Sequence, residues 1–338
     1  MHNSYVYFFG VSKDHAREDI NTKFSFIDNS DKDVIGVLVI GEAARYANFG
    51  IAGYDRDTTP NLSTIENLVT YKARSCASST YLAVPCMVSR YGEKDIDLAH
   101  SETSFLSILT KLGFDTIWIG TQSITKYYRS RQGGSFYDDV NFHIIPGGSI
   151  AMLPNSHDEK MLPYLEQSLT TDGRKFITLH MTGSHWNYAA RYPAQFSKFK
   201  PDVSDIIKRD PVSCDEQERL NSYDNSILYT DFFLASVIDH LKDKKAFVIY
   251  SSDHGESLGE CGRFTHGFED YFEEQRAVPL IVWFSDSYKA TYPEKWESIK
   301  DMEKVEISHD YIFHTILDCL NISSEAVDKS LSLCQGKQ

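Results

Sequence analysis

Residues 247–267, FVIYSSDHGESLGECGRFTHG, constrain this chain more than any other stretch. Five strand-favouring residues, Phe247 to Ser251, run into Asp253-His254-Gly255, and Thr265-His266-Gly267 follows shortly after. A buried strand that ends in Asp-His sets a carboxylate and an imidazole side by side at a sheet edge, and such a pair suits a zinc-like ion. The same residues also fit an ordinary polar turn, with His254 a hydrogen-bonded loop histidine. The rest of the chain has to decide.

Two other apolar runs end in the same manner. Val34–Ile40 is a nearly continuous β-branched run, the pattern of a strand buried on both faces of a parallel sheet, and it ends in Gly41-Glu42-Ala43-Ala44-Arg45. Phe176–His180 runs into Met181-Thr182-Gly183-Ser184-His185. Thr116–Ile119 and Val278–Phe284 read as further strands. Helical patterns lie between them. One spans Glu102 to Leu112 and stops at Gly113, a good residue for a left-handed cap. Another is opened by a Ser156/Glu159 capping box, runs to about Leu169 and is kinked at Pro163. A long amphipathic helix carries Leu220, Tyr223, Ile227, Leu234 and Leu241 on one face. Ser308 caps a last helix through about Leu320, and Ser63–Glu66 is a capping box for a short one.

Residues 11–33 read as a linker or surface arm, and 121–151 as a long surface excursion. The alternation implies an α/β fold with a mostly parallel central sheet and helices on both faces. Functional loops in such folds lie beyond the carboxyl ends of the strands. Glu42, His185 and Asp253-His254 each follow an apolar strand, so three strand ends deliver metal-type ligands to one sheet edge. Hydroxyl residues also crowd Ser75-Cys76-Ala77-Ser78-Ser79-Thr80, just ahead of a helix start whose free N–H groups suit an oxyanion.

The net charge of −14 argues against a nucleic-acid binder, whose usual footprint is a basic face. The length of 338 residues suffices for one large α/β domain or two small ones. No apolar run has the length of a bilayer span, and no signal-peptide pattern is present; the aromatic Tyr5–Phe9 run is far too short to cross. The cysteines are Cys76, Cys86, Cys214, Cys261, Cys319 and Cys334, with no CxxC pair, which disfavours a zinc knuckle. Their even number fits disulfides in an oxidising compartment and equally fits free thiols.

Assembled in order, GEAAR at 41–45, GYDRDTTPNL at 53–62, SCASSTYLAVPCM at 75–87, HMTGSH at 180–185, YDNSILYTD at 223–231 and SDHGESLGE with THG at 252–267 resemble the catalytic domain of the phosphoethanolamine transferases. That family includes the lipid A-modifying enzymes of polymyxin resistance, and it belongs to the alkaline phosphatase and sulfatase superfamily. The resemblance covers roughly residues 34–320. It implies an arm or linker over 1–33, a sulfatase-like catalytic domain over 34–325 and a C-terminal tail over 326–338.

Carried over position by position, the resemblance implies that Glu42, Thr80, Asp253 and His254 bind one zinc ion tightly, with Thr80 as nucleophile. His185 and His266 then face the phosphoethanolamine group or hold a second ion, and Glu256 orients them from behind or is a solvated charge. Cys76 and Cys86 flank the nucleophile as in the family, where they form a disulfide. Rivals stay open: Ser78 or Ser79 as the nucleophile, Glu42 as a carboxylate at a helix N-terminus, and His185 and His266 as structural histidines. The implied reaction moves phosphoethanolamine from phosphatidylethanolamine, through a covalent threonine intermediate, to lipid A, lipopolysaccharide core or another envelope glycan or protein. The implied setting is the periplasmic face of a bacterial inner membrane, with an N-terminal transmembrane domain beyond this sequence.

Several departures bear on the acceptor. Ala43 stands where many relatives have serine, and residues 121–134 (TQSITKYYRSRQGG) lack the paired cysteines of the lipid A enzymes. Lys126, Arg129 and Arg131 contact an acidic acceptor or are surface charge. A phosphoglycerol transferase is the nearest alternative. A sulfatase is another, because Cys86-Met87-Val88-Ser89-Arg90 approaches the C-x-P-S-R signature, with Val88 in place of the proline.

Overall fold

A computed structural model describes residues 17–122, 139–144, 157–203, 211–267, 272–302 and 305–335. The strands in chain order are β1 (Ile27–Asp28), β2 (Ile35–Gly41), β3 (Leu68–Arg74), β4 (Asp115–Gly120), β5 (Phe142–Ile144), β6 (Lys175–His180), β7 (Ala246–Ser252), β8 (Ser257–Leu258), β9 (Phe264–Thr265), β10 (Ala277–Phe284), β11 (Ile307–Ser308) and β12 (Ile322–Ser323). Eight of them form the central sheet in the order β11-β3-β10-β7-β2-β6-β4-β5. β10 runs antiparallel to β3 and β7, and the other pairs are parallel. The expected mostly parallel sheet is present, with one strand reversed.

β2 and β7 are buried along their whole length, which is why they read as continuous apolar runs. Alternate residues feed two cores. Leu38, Ile40, Phe247 and Ile249 join Val84, Phe105 and Phe313 on one face. Val37, Val39, Val248 and Tyr250 join Tyr223, Ile227 and Val237 on the other. Gly36 is a point of close approach, because a Cβ there would come within 2.7 Å of the Phe176 ring and 2.8 Å of Phe247.

Helices α1 (Thr80–Val88) and α3 (Asp310–Cys319) cover the first core, and α2 (Glu216–Leu241) covers the second. α2 opens at Asp215, whose side chain accepts from the N–H groups of Gln217 and Glu218. It is not amphipathic in the expected sense, since its polar side is buried as well. The reason lies in the stretch after β2. Asp224 accepts from Asn48 (2.6 Å), Tyr54 (3.0 Å) and Arg56 (2.8 Å), and Asp231 accepts from the N–H groups of Asn61 (3.0 Å) and Leu62 (2.8 Å). GYDRDTTPNL is therefore a strap fastened along α2.

Other elements differ from the sequence reading. Ser63–Glu66 opens no α-helix; one 3-10 turn, Leu62–Thr64, leads straight into β3. Ser308 lies in β11, and His309 takes the position before α3. Pro163 begins the helix Leu162–Ser168 instead of kinking it, at a position whose N–H has no helical partner anyway; Ser156 lies outside the described residues. The sheet also reaches into the expected surface excursion, where β5 pairs with β4. Ahead of the sheet, Ile20 is buried, Arg17 pairs with Asp139 at 2.6 Å, and β1 pairs with β12. The Tyr5–Phe9 run lies outside the described residues. Among the described residues, no helix is long and apolar enough to cross a membrane.

Candidate metal centre

Sheet register builds the site. Gly41 lies opposite Ser252, Ile40 opposite His180, and His180 opposite Gly120. The residues that leave the sheet next, at Glu42, Asp253, Met181 and Thr121, therefore emerge side by side at one edge. Thr80 arrives separately, as the first residue of α1. The loop that carries it is stitched to this edge: Ser75 N–H donates to the Arg276 carbonyl at 2.7 Å, and Ser75 Oγ contacts the Asp253 carbonyl. A Cys76–Cys86 disulfide ties the same loop to the body of α1.

Glu42, Asp253 and His254 are fully buried. His254 Nε2 lies 3.2 Å from Glu42 Oε1 and 3.5 Å from Asp253 Oδ2. Thr80 Oγ1 lies 3.0 Å from Glu42 Oε2 and 3.4 Å from His254 Nε2. Metal–ligand bonds of about 2.0–2.1 Å set tetrahedral ligand–ligand edges of about 3.3–3.4 Å, and the four distances just given lie near that length. Beyond these contacts with His254 Nε2, Glu42 Oε1 and Asp253 Oδ2 have no hydrogen-bond partner among the described residues. Buried carboxylate oxygens left so are costly unless a cation meets them.

The protonation pattern points the same way. Burial works against charge on Glu42, but the His254 charge outweighs it and holds the carboxyl well below its usual value. Burial and the Glu42 charge push Asp253 up to about 7. Burial opposes charge on His254 too, yet Asp253 and Glu42 raise it to about 10. Two buried carboxylates thus demand one positive charge, and a divalent ion can supply it in place of the imidazole proton. His254 Nδ1 lies 2.8 Å from the Gly255 carbonyl oxygen, which fixes the proton there and aims Nε2 into the cluster.

A second cluster adjoins the first. The His266 ring centroid is 4.1 Å from that of His254 and 5.5 Å from that of His185. Donor atoms of Glu42, His185 and His266, and separately of His254, Glu256 and His266, come close enough together to share an ion. His185 Nδ1 lies 2.6 Å from the Trp186 carbonyl oxygen, and His266 Nδ1 lies 2.6 Å from Glu256 Oε2, so both rings keep Nε2 free of these partners. Burial lowers the pKa of His185, with the Glu42 charge acting against it. Glu256 is buried and its other oxygen accepts from Tyr188 at 2.6 Å. It is no solvated charge.

The sulfatase family model matches residues 35–322. The chain belongs to the sulfatase family. Within that family it is 34% identical over 304 residues to the Kdo(2)-lipid A phosphoethanolamine 7''-transferase of Escherichia coli, an alignment covering 86% of this chain and 52% of that protein. The chain thus spans about half the length of the curated relatives it matches. The soluble domain of lipooligosaccharide phosphoethanolamine transferase A from Neisseria meningitidis superposes with a TM-score of 0.83 at 27% identity, covering 94% of this chain and 97% of that one. The C-terminal periplasmic domain of EptC from Escherichia coli, solved in complex with Zn, gives 0.80 at 24% identity, covering 92% and 89%, a likeness of fold.

Membership of the sulfatase family bears on Cys86, because C-x-P-S-R marks a modified cysteine in sulfatases. Here Cys86 is fully buried and bridged to Cys76, while Thr80 sits on the ligand cluster. The sequence reading missed two groups of this site. Gln122 Nε2 donates to Glu42 Oε2, and it lies two residues beyond β4, so the strand-end rule that found Glu42 applied to it as well. Tyr188 opens a short 3-10 turn, Tyr188–Ala190, with no comparable signal in the sequence. Of the four other cysteines, Cys319 and Cys334 form a second bridge, Cys261 is an exposed thiol, and Cys214 is buried beside α2, outside both bridges. Lys126, Arg129 and Arg131 lie outside the described residues.

Proposed function

We propose that this chain is the catalytic domain of a zinc-dependent phosphoethanolamine transferase. It takes the headgroup of phosphatidylethanolamine onto Thr80 and passes it to lipid A, lipopolysaccharide core or another envelope glycan or protein, on the periplasmic side of an inner membrane. The observation that carries this reading is the contact of Thr80 Oγ1 with Glu42 and His254, at a fully buried cluster of two carboxylates and one imidazole. Similarity to the named transferases supports the headgroup, and the donor set supports zinc.

Glu42, Asp253, His254 and Thr80 would hold the ion, which supplies Lewis acidity: it lowers the pKa of the hydroxyl and neutralises charge that develops on phosphoryl oxygens. Glu42 Oε2 accepts the Thr80 hydroxyl hydrogen and aligns Oγ1 for attack. As the Oγ–P bond forms, the bond from phosphorus to the glycerol oxygen breaks, and diacylglycerol leaves with a proton. Phosphoethanolamine remains on Thr80 as a diester. An acceptor oxygen then attacks the same phosphorus as the Oγ–P bond breaks, and the acceptor's proton passes to Thr80 Oγ1, restoring the hydroxyl. His185 and His266 flank the position of the transferred group, or share a second ion with Glu42. The start of α1 offers backbone N–H groups beside the same phosphorus.

Headgroup release from short-chain phosphatidylethanolamine, in competition with phosphatidylglycerol, tests the reading. Preferential release of diacylglycerol from the ethanolamine lipid supports it. Equal use of both lipids, or preference for phosphatidylglycerol, moves the assignment to phosphoglycerol transfer.

A further inference from the structure

Asp158 is a charged side chain only 2% exposed, in a turn that no metal-type motif marks. Its Oδ1 accepts from the Thr182 N–H at 2.8 Å and from the Thr121 hydroxyl, and its Oδ2 accepts from the Gly183 N–H at 2.9 Å. Thr121 Oγ1 in turn accepts from Thr182 N–H and Thr182 Oγ1, each at 3.0 Å. One carboxylate therefore joins the loop after β4 to the loop after β6.

Both loops bear on Glu42. Gln122, next to Thr121, donates to Glu42 Oε2. Ser184 N–H donates to the Glu42 carbonyl at 2.9 Å. Gly183 has φ +50°, and a Cβ there would come 2.7 Å from the Glu42 carbonyl oxygen, so the turn lies directly on the Glu42 backbone. The far side of the turn is held by Arg191, which donates to the carbonyls of His185 (2.8 Å) and Trp186 (3.1 Å). The turn that presents His185 is thus gripped at its N–H groups by Asp158 and at its carbonyls by Arg191.

We propose that Asp158, with Thr121 and Arg191, is the positioning residue of this site: it fixes His185 and Gln122 relative to Glu42. The proposal rests on the transferase reading for its consequence and on geometry for its substance. Asp158 touches none of the four zinc-type donors Glu42, Thr80, Asp253 and His254, so loss of its grip should leave an ion on those four in place. A misplacement of about 1 Å in a reacting constellation costs roughly a hundredfold in rate. A buried carboxylate that served stability alone would lower the melting temperature and leave the His185 ring where it is.

The test is Asp158→Asn, which keeps the shape but turns one acceptor into a donor facing an N–H or hydroxyl. Histidine-selective NMR reads the His185 ring, with His240 at the far end of α2 as internal control, alongside zinc content and transfer from short-chain phosphatidylethanolamine. The expected result is a folded, zinc-loaded protein whose His185 resonances shift or broaden while those of His240 do not, with transfer reduced about a hundredfold. Should Asp158→Asn fail to fold, Thr121→Val, which removes one hydroxyl and keeps the branched shape, carries the same readout with a smaller loss. Superposable His185 resonances, or transfer at the wild-type rate, overturn the proposal. Movement of His185 in the variant together with a wild-type protein that transfers nothing would leave the positioning standing and remove the transferase reading instead.

Discussion

Glu256→Gln is the perturbation whose size can be worked most directly. Both oxygens of this buried side chain are occupied, Oε1 by the Tyr188 hydroxyl and Oε2 by His266 Nδ1, each at 2.6 Å. Glutamine keeps the shape but removes the charge and turns one acceptor into an NH2 group. Facing His266, that group opposes an N–H and forces the ring to change tautomer or swing away. Facing Tyr188, it requires the hydroxyl to rotate and leaves its hydrogen without the carboxylate. A hydrogen bond to a charged group contributes about 1.5–3 kcal/mol, and one of the two is lost in either arrangement. With an unfolding entropy of roughly 2.1 cal/mol/K per residue, that corresponds to a melting-temperature drop of about 2–4 °C for a chain of this size. Loss of the carboxylate behind a metal-type histidine should also lower transfer by about 10–100-fold. Scanning calorimetry at saturating zinc and steady-state transfer read the two effects. Tyr188→Phe removes a single donor to the same carboxylate, so the double variant should lose less than the sum of the singles. An unchanged melting temperature and unchanged transfer in Glu256→Gln would show that the Tyr188–Glu256–His266 chain holds nothing in place.

Zinc affinity should rise with pH, because binding displaces the proton of His254, which is raised to about 10, and part of the proton on Asp253, raised to about 7. The logarithm of affinity should climb about one unit per pH unit above neutrality and more steeply below it; calorimetry in buffers of different ionisation enthalpy counts the protons released, and a pH-independent affinity would rule out this donor set. Replacing Cys319 and Cys334 together by alanine should cost about 2–4 kcal/mol of stability, as their separation of 15 residues suggests, and leave transfer at 25 °C unchanged. Replacing Cys76 and Cys86 should cost a similar amount and also reduce transfer, because that bridge steadies the loop before Thr80; denaturant unfolding and transfer assays on both double variants separate the two roles.

What was legible in the sequence follows from which elements are buried on both faces. β2, β6 and β7 are buried throughout and mostly apolar, so their carboxyl ends, and with them Glu42, His185 and Asp253-His254, could be read directly. β3 was not legible, because it carries Thr70, Lys72 and Arg74 and lies nearer the edge of the sheet, where one side is only partly covered. The polar residues of α2 misled for the opposite reason: Asn221, Asp224 and Asp231 look like a solvated face, but the strap before β3 supplies their partners from more than a hundred residues away. Asp158 and Tyr188 gave no signal for the same cause. Each acts on groups distant in sequence, Asp158 on Thr121 and Tyr188 on Glu256, and no local pattern encodes such a contact.

The transferase reading stands or falls on whether Thr80 carries the transferred group. Wild-type protein, zinc-loaded, is incubated with short-chain phosphatidylethanolamine without acceptor, digested and analysed by tandem mass spectrometry. The expected result is one added phosphoethanolamine on Thr80, absent in Thr80→Ala and retained at a lower level in Thr80→Ser. An adduct mapped to Ser78 or Ser79, or undiminished transfer by Thr80→Ala, would contradict it.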